Sequence, residues 1–308
     1  MMDKVECKKL KYSDDGNAFR TGPINDIQMI ADKIGQDLQH MVNWCHQWRM
    51  PLNLSKTKFM ICSKTPVNDD ISVVCNIKKV DGTSQTLSID RTTEERILGV
   101  YYDEQMTFKA HLDYLVNSSL SNINKIRQFI FSERGLPTKF GIILYSAYVR
   151  AKIESSYPAW SIINETDLQR LDTIQGLAMK MILNIKGSTS YNALDVEAGV
   201  LPIRIRLKQV LANYGCKLMR KTDSNNLKVI IMNNLQRRNV GRSATPADKT
   251  RMAMNAMKDR DSDFHKIEKE LSSSIRYEPC IEQNFFVWQG HGNPYPHLIS
   301  LVFLRAWL

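Results

Sequence analysis

Lys11-Tyr12-Ser13-Asp14-Asp15-Gly16 sets two adjacent carboxylates behind a segment, residues 5–12, that reads as a strand. A short segment ending at Thr21-Gly22-Pro23 follows them. Neighbouring Asp residues at the turn of a hairpin can bring carboxylate oxygens to a hard divalent cation, which Mg²⁺ chemistry on phosphates requires. Taken alone, Asp-Asp-Gly is an ordinary turn. Asp69-Asp70 repeats the composition without such surroundings, so context must separate the two pairs.

Outward from this pair, Ile27, Ile30, Ile34, Leu38, Met41, Cys45 and Trp48 recur every three or four residues, one stripe of an amphipathic helix that Asn25 or Asp26 can cap and Pro51 ends. Trp44 and Trp48, one turn apart, read as core residues. Residues 59–62 are short and apolar enough for a strand. Residues 71–80 and 85–89 flank Asp81-Gly82, a type I′ hairpin signal, and residues 96–102 read as a further strand. After Thr107 the period changes from two to 3.6. Helices are expected from Phe108 to the stop at Gly135-Leu136-Pro137, over residues 137–150 and 166–184, and from Pro202 onward.

The expected fold class is α+β, with antiparallel hairpins and a helix in residues 1–105, helices in 106–222, and a basic linker with a helical or irregular tail in 223–308. The chain has 308 residues, 43% hydrophobic and 24% charged, which excludes disorder, collagen and coiled coil. Its formal +10 is localised. Residues 201–260 hold 14 basic and three acidic residues, whereas the rest of the chain holds 28 basic and 29 acidic. Such a stretch is either the footprint of phosphate binding or a solvated helix face with a basic linker. Six scattered cysteines with no CxxC pair, an N-terminus without an apolar core and a final apolar run too short for a bilayer lead to an expectation of an intracellular protein, cytoplasmic or nuclear, with no membrane partner.

The motifs also stand in a particular order. Tyr12-Ser13-Asp14-Asp15 has the form Y-x-D-D. It is followed by a helix ending Trp44-Cys45-His46-Gln47-Trp48, then Asn53-Leu54-Ser55-Lys56-Thr57, then Ile97-Leu98-Gly99-Val100-Tyr101-Tyr102-Asp103, then Thr107-Phe108-Lys109-Ala110-His111. Leu168-Gln169-Arg170-Leu171-Asp172-Thr173-Ile174-Gln175 and Glu197-Ala198-Gly199-Val200-Leu201-Pro202-Ile203 come later. This series resembles the reverse transcriptases of retrotransposons without long terminal repeats, the long-interspersed-element type and its jockey-like members above all.

The resemblance implies a fold and roles. Residues 1–105 would be part of a polymerase palm and 106–222 a thumb. Asp14 and Asp15 would hold Mg²⁺ in two-metal nucleotidyl transfer, and Lys56 would act on the leaving pyrophosphate. Leu98-Gly99-Val100 matches the primer-grip hairpin. Contacts to an RNA template and a DNA primer would fall on Tyr12, Gly99, Lys125, Arg127, Arg204, Arg206, Lys208, Arg237 and Arg238. His111, with no second His or Cys near it in sequence, reads as a packing residue. A β-hairpin spanning residues 12–19 is required for this reading.

Two-metal transfer needs a third carboxylate, which the family takes from a strand far upstream of Y-x-D-D. Only Asp3 and Glu6 precede Tyr12 here. The sequence is thus expected to be the later part of such a polymerase, inactive alone, with an open sheet edge that calls for the missing segment or an oligomer. The alternative is a non-catalytic RNA- or DNA-binding protein that uses the helices and the basic stretch of residues 201–260.

Overall fold

The computed structural model describes residues 7–12, 15–49, 53, 56–63, 67, 70–78, 84–131, 135–221, 245–258 and 300–307. Strands β1 (Lys8–Tyr12) and β2 (Asp15–Gly22) pair antiparallel, with Lys8 opposite Phe19 and Tyr12 opposite Asp15. The hairpin required by the Asp-Asp reading is therefore present. A 3-10 turn (Ile24–Asp26) leads into α1 (Ile27–Gln47), where Asp26 occupies the cap position without a side-chain capping bond.

The apolar stripe of α1 is buried against Ala18 of β2, Phe59 and Ile61 of β3 (Lys58–Cys62), Val73 and Cys75 of β4 (Val73–Lys78) and Ile89 of β5 (Ser84–Arg91). Complete burial of Ile34 and Leu38 contributes roughly 1.5–3 kcal/mol each. Arg20 of β2 donates to Asp37 of α1 at 2.9–3.0 Å, which pairs a buried carboxylate. β4 and β5 pair from Val73 opposite Ile89 to Lys78 opposite Ser84. Their expected turn, Asp81-Gly82, lies outside the described residues.

The segment read as one strand over residues 96–102 is instead a hairpin. β6 (Glu94–Ile97) turns back as β7 (Val100–Asp103), with Ile97 opposite Val100. Leu98 (φ 48°) and Gly99 (φ 89°) form the connection, and two successive positive φ angles are the mark of a type I′ turn.

Residues 300–307, expected as helical or irregular tail, form a strand, β8 (Ser300–Trp307). It lies inside the six-stranded sheet of order β1-β2-β8-β3-β5-β4, antiparallel to both neighbours. β8 supplies backbone donors and acceptors to β2 and β3 together, and the sheet ends at β1 on one side and at β4 on the other. Local periodicity missed this strand because its apolar residues fall at both parities, the pattern of a segment covered on both faces.

These strands and α1 belong to a unit made of Met1–Thr107, Pro279–Phe285 and Gly290–Leu308; the other unit is Phe108–Glu278 with Phe286–Gln289. The second unit is helical. It contains α2 (Lys109–Ile130), α3 (Thr138–Tyr145), a π-helical turn (Ser146–Arg150), α4 (Ala151–Glu154), α5 (Tyr157–Trp160), α6 (Glu165–Ile182), α7 (Tyr191–Glu197), α8 (Ile203–Met219) and α9 (Pro246–Lys258). Asn164 and Ser190 accept backbone N–H bonds at the starts of α6 and α7, so capping sets where those helices begin. No helix among the described residues is long and apolar enough to cross a membrane.

Candidate functional site

Asp15 opens β2 directly across from Tyr12, and its backbone position is fixed by two ladders, to β1 on one side and to Trp307 of β8 on the other. Asp14 lies outside the described residues, and Tyr12 and Asp15 are described by their backbone alone. The strands that flank β2 carry the sequences KKLKY and SLVFLRAW, which contain no carboxylate. Among the described residues no group of three or more His, Cys, Asp or Glu could hold a metal ion. Two adjacent Asp suit a hard cation, but the neighbouring strands offer lysines, a tyrosine and Arg305 where two-metal chemistry needs a further acid. Among the described residues, the strands beside Asp15 supply no further acid of the kind that two Mg²⁺ ions need.

Asn53-Leu54-Ser55-Lys56-Thr57 has a clear local logic at its described positions. The Asn53 carbonyl oxygen accepts from Lys56 N at 3.2 Å and from Thr57 Oγ1 at 3.0 Å, and Asn53 Oδ1 accepts from Lys56 N at 3.3 Å. Asn here folds the backbone by accepting locally, as Asx turns do. Thr57 is buried, Lys56 is exposed, and β3 starts at the next residue. The motif therefore delivers a lysine to the surface beside a central strand.

The β6–β7 hairpin is anchored near the same strand. Thr92 N donates to the Phe59 carbonyl at 2.9 Å, Ser63 N donates to the Glu104 carbonyl at 2.9 Å, and Arg91 pairs with the Glu104 carboxylate at 2.9 Å. A Cβ on Gly99 would meet nothing within 4 Å. The positive φ favours glycine there. Asp103 then closes the turn into the helical unit, accepting from Gln105 N, Thr107 N and Thr107 Oγ1 at 2.9–3.1 Å. Beneath the hairpin the Cys62 thiol is pushed up to about 12 by burial and by the Asp103 and Glu104 carboxylates.

Trp48, expected in the core, is 60% exposed, while its neighbour Trp44 is half-buried with ring centroids 6.0 Å apart. Trp48 is the C-cap residue, one position past the end of α1. His111 is buried and sits edge-on to Trp160, with centroids 5.2 Å apart, which is a packing arrangement.

In the helical unit Lys125 and Arg127 are exposed on α2, and Arg127 lies over the Phe131 ring. Phe129, Phe131, Phe140 and Tyr148 are exposed on α2, the residue after it, α3 and the π turn. The periodicity could have flagged these aromatics, since they fall off the buried stripe. The basic residues of α8 divide into two kinds. Arg204 pairs with Glu165 and Asp172, and Arg206 makes a bidentate pair with Glu154 at 2.7 and 2.9 Å. Lys208 is exposed. Arg237 and Arg238 lie outside the described residues.

The later motif text builds the frame of this unit. Gln175 accepts from Tyr145 Oη at 2.8 Å and donates to Asp195 at 2.9 Å and to the Leu201 carbonyl at 3.1 Å, which ties α3, α6, α7 and the start of α8 together.

The chain is similar to two curated proteins. It is 24% identical over 200 residues to the retrovirus-related Pol polyprotein from type-1 retrotransposable element R1 4 of Nasonia vitripennis, covering 61% of this chain and 50% of that protein. It is 22% identical over 191 residues to the RNA-directed DNA polymerase from mobile element jockey of Drosophila funebris, covering 61% of this chain and 19% of that protein. The chain thus spans about half the length of one relative and about a fifth of the other. No family model and no solved structure matches it.

Proposed function

Starting from this kinship with the polymerases of retrotransposons without long terminal repeats, we propose that the chain is the later part of a reverse transcriptase of that type. Its helical unit would hold template and primer through their phosphates, and it would not polymerise alone. The observation that carries this reading is the motif series. A paired hairpin at Tyr12 and Asp15, an Asn53-centred turn that presents Lys56, and a type I′ hairpin at Leu98-Gly99 occur in the order in which the resemblance predicts them.

Loss of activity follows from the donor set. Catalysis needs interactions that strengthen as charge develops in the transition state. Among the described residues the two strands that flank Asp15 supply no carboxylate, which leaves that requirement unmet there. Primer extension on an RNA template with Mg²⁺ should give no product above that of Asp14→Ala. Asp14-dependent synthesis by this chain would sink the proposal of inactivity.

A second reading, a non-catalytic RNA- or DNA-binding protein, draws on the exposed Phe129, Phe131, Phe140 and Tyr148 near Lys125, Arg127 and Arg150 in sequence. Aromatic rings interleaved with cations suit single strands, on which bases stack for roughly 1–3 kcal/mol each. Preference for single-stranded RNA over a primer–template duplex in a filter-binding assay would favour this reading over the first.

A further inference from the structure

β8 is placed unlike the other strands of its sheet. It pairs with β2 over eight positions, from Gly22 opposite Ser300 to Asp15 opposite Trp307, and with β3 over five. Neither neighbour is close to it in sequence. Take β8 away and the sheet becomes two pieces, β1-β2 and β3-β5-β4, whose facing edges carry unpaired N–H and C=O groups. An extended segment antiparallel to both edges satisfies them together, and this is the geometry of strand addition.

The sequence of β8 suits that place. SLVFLRAW has six apolar residues at both parities, no Gly, no Pro and no acid. Its single charge, Arg305, stands in register opposite Lys58, and like charges in directly opposed positions weaken a strand pair. The segment is therefore held through its backbone ladders, with like charges at one register position.

The pairing itself does not dictate which chain supplies the strand. Forty-one residues separate Lys258 from Ser300, enough at about 3.3 Å per extended residue to span more than 100 Å. Exchange of an identical element between copies costs little when the element and its slot are unchanged. We infer that the gap between β2 and β3 is a strand-acceptor site, filled by residues 300–307 of the same chain and open to the same segment of a second copy.

The test uses the full chain and no enzymatic activity, so its outcome is independent of the polymerase reading. Thr21 is exposed and stands opposite Leu301. Directly opposed Cα atoms in an antiparallel pair lie roughly 4.5–5.5 Å apart, within disulfide range. Thr21→Cys with Leu301→Cys should link under mild oxidation, within one chain or between two copies, and Thr21→Cys with Val302→Cys should link at least tenfold less. A fluorescent peptide of residues 300–308 should bind the unsubstituted chain and the reduced double variant, and binding should fall at least tenfold once the double variant is oxidised. A scrambled peptide should not bind the unsubstituted chain, a comparison that needs no substitution to fold. Equal linking at 301 and 302, equal uptake by oxidised and reduced chain, or uptake no better than the scrambled peptide would each overturn the inference.

Discussion

Gly99 and Cys62 show how single residues carry conformation and chemistry. At φ 89°, with nothing within 4 Å of where a Cβ would stand, Gly99 is selected by backbone conformation. Gly99→Ala should lower stability by about 1 kcal/mol, and Gly99→Asn by less, because Asn tolerates the left-handed region. Urea denaturation followed by fluorescence checks both. The Cys62 thiol, buried beside Asp103 and Glu104, ionises only near about 12 against an ordinary value of 9.0. Its raised value means that the folded state favours the neutral thiol. The stability gained is complete below about pH 9 and is lost as pH rises towards 12. At pH 8 iodoacetamide should therefore modify the partly exposed Cys216 and leave Cys62 unmodified until the chain is unfolded, as peptide mass mapping will show.

Among the helices, polar groups decide how elements lock. Gln175 on α6 answers Tyr145 of α3, Asp195 of α7 and the carbonyl of Leu201 just before α8. Gln175→Ala would leave a buried hydroxyl and a buried carboxylate without this partner, a loss of roughly 2–3 kcal/mol measured as a lower denaturation midpoint. Gln175→Glu should be at least as harmful, since it sets a second acid against Asp195. Sequence periodicity placed α2, α6 and α8, but it read residues 137–150 as a single α-helix. The chain there runs through a π turn at Ser146–Arg150 before α4, and no apolar spacing encodes that change of hydrogen-bond partner. The short α5 and α7 were missed for a related reason. Each is too brief to display a period and is held by packing of Trp160 and Leu194 into the core.

For the whole molecule, charge counted in the sequence differs from charge available to a partner. Arg204 and Arg206 face carboxylates of their own unit, whereas Lys208 is exposed. Neutralising Lys208 to Gln should lower the salt slope of RNA binding by up to about 0.9 and leave the melting temperature unchanged; Arg206→Gln should lower the melting temperature. Titration of labelled RNA at several salt concentrations, beside calorimetry, separates the two. The sequence by itself determined the hairpin at Asp14-Asp15, the amphipathic helix packed on the sheet, the change from strands to helices after Thr107 and the order of the motifs, because each rests on spacing or turn chemistry within a few residues. Tertiary structure alone decided that Trp48 is exposed, that Arg204 and Arg206 are paired, and that Ser300–Trp307 completes a sheet begun at Lys8. These outcomes depend on which surfaces meet across hundreds of residues, where backbone pairing and burial select a partner that no local pattern names.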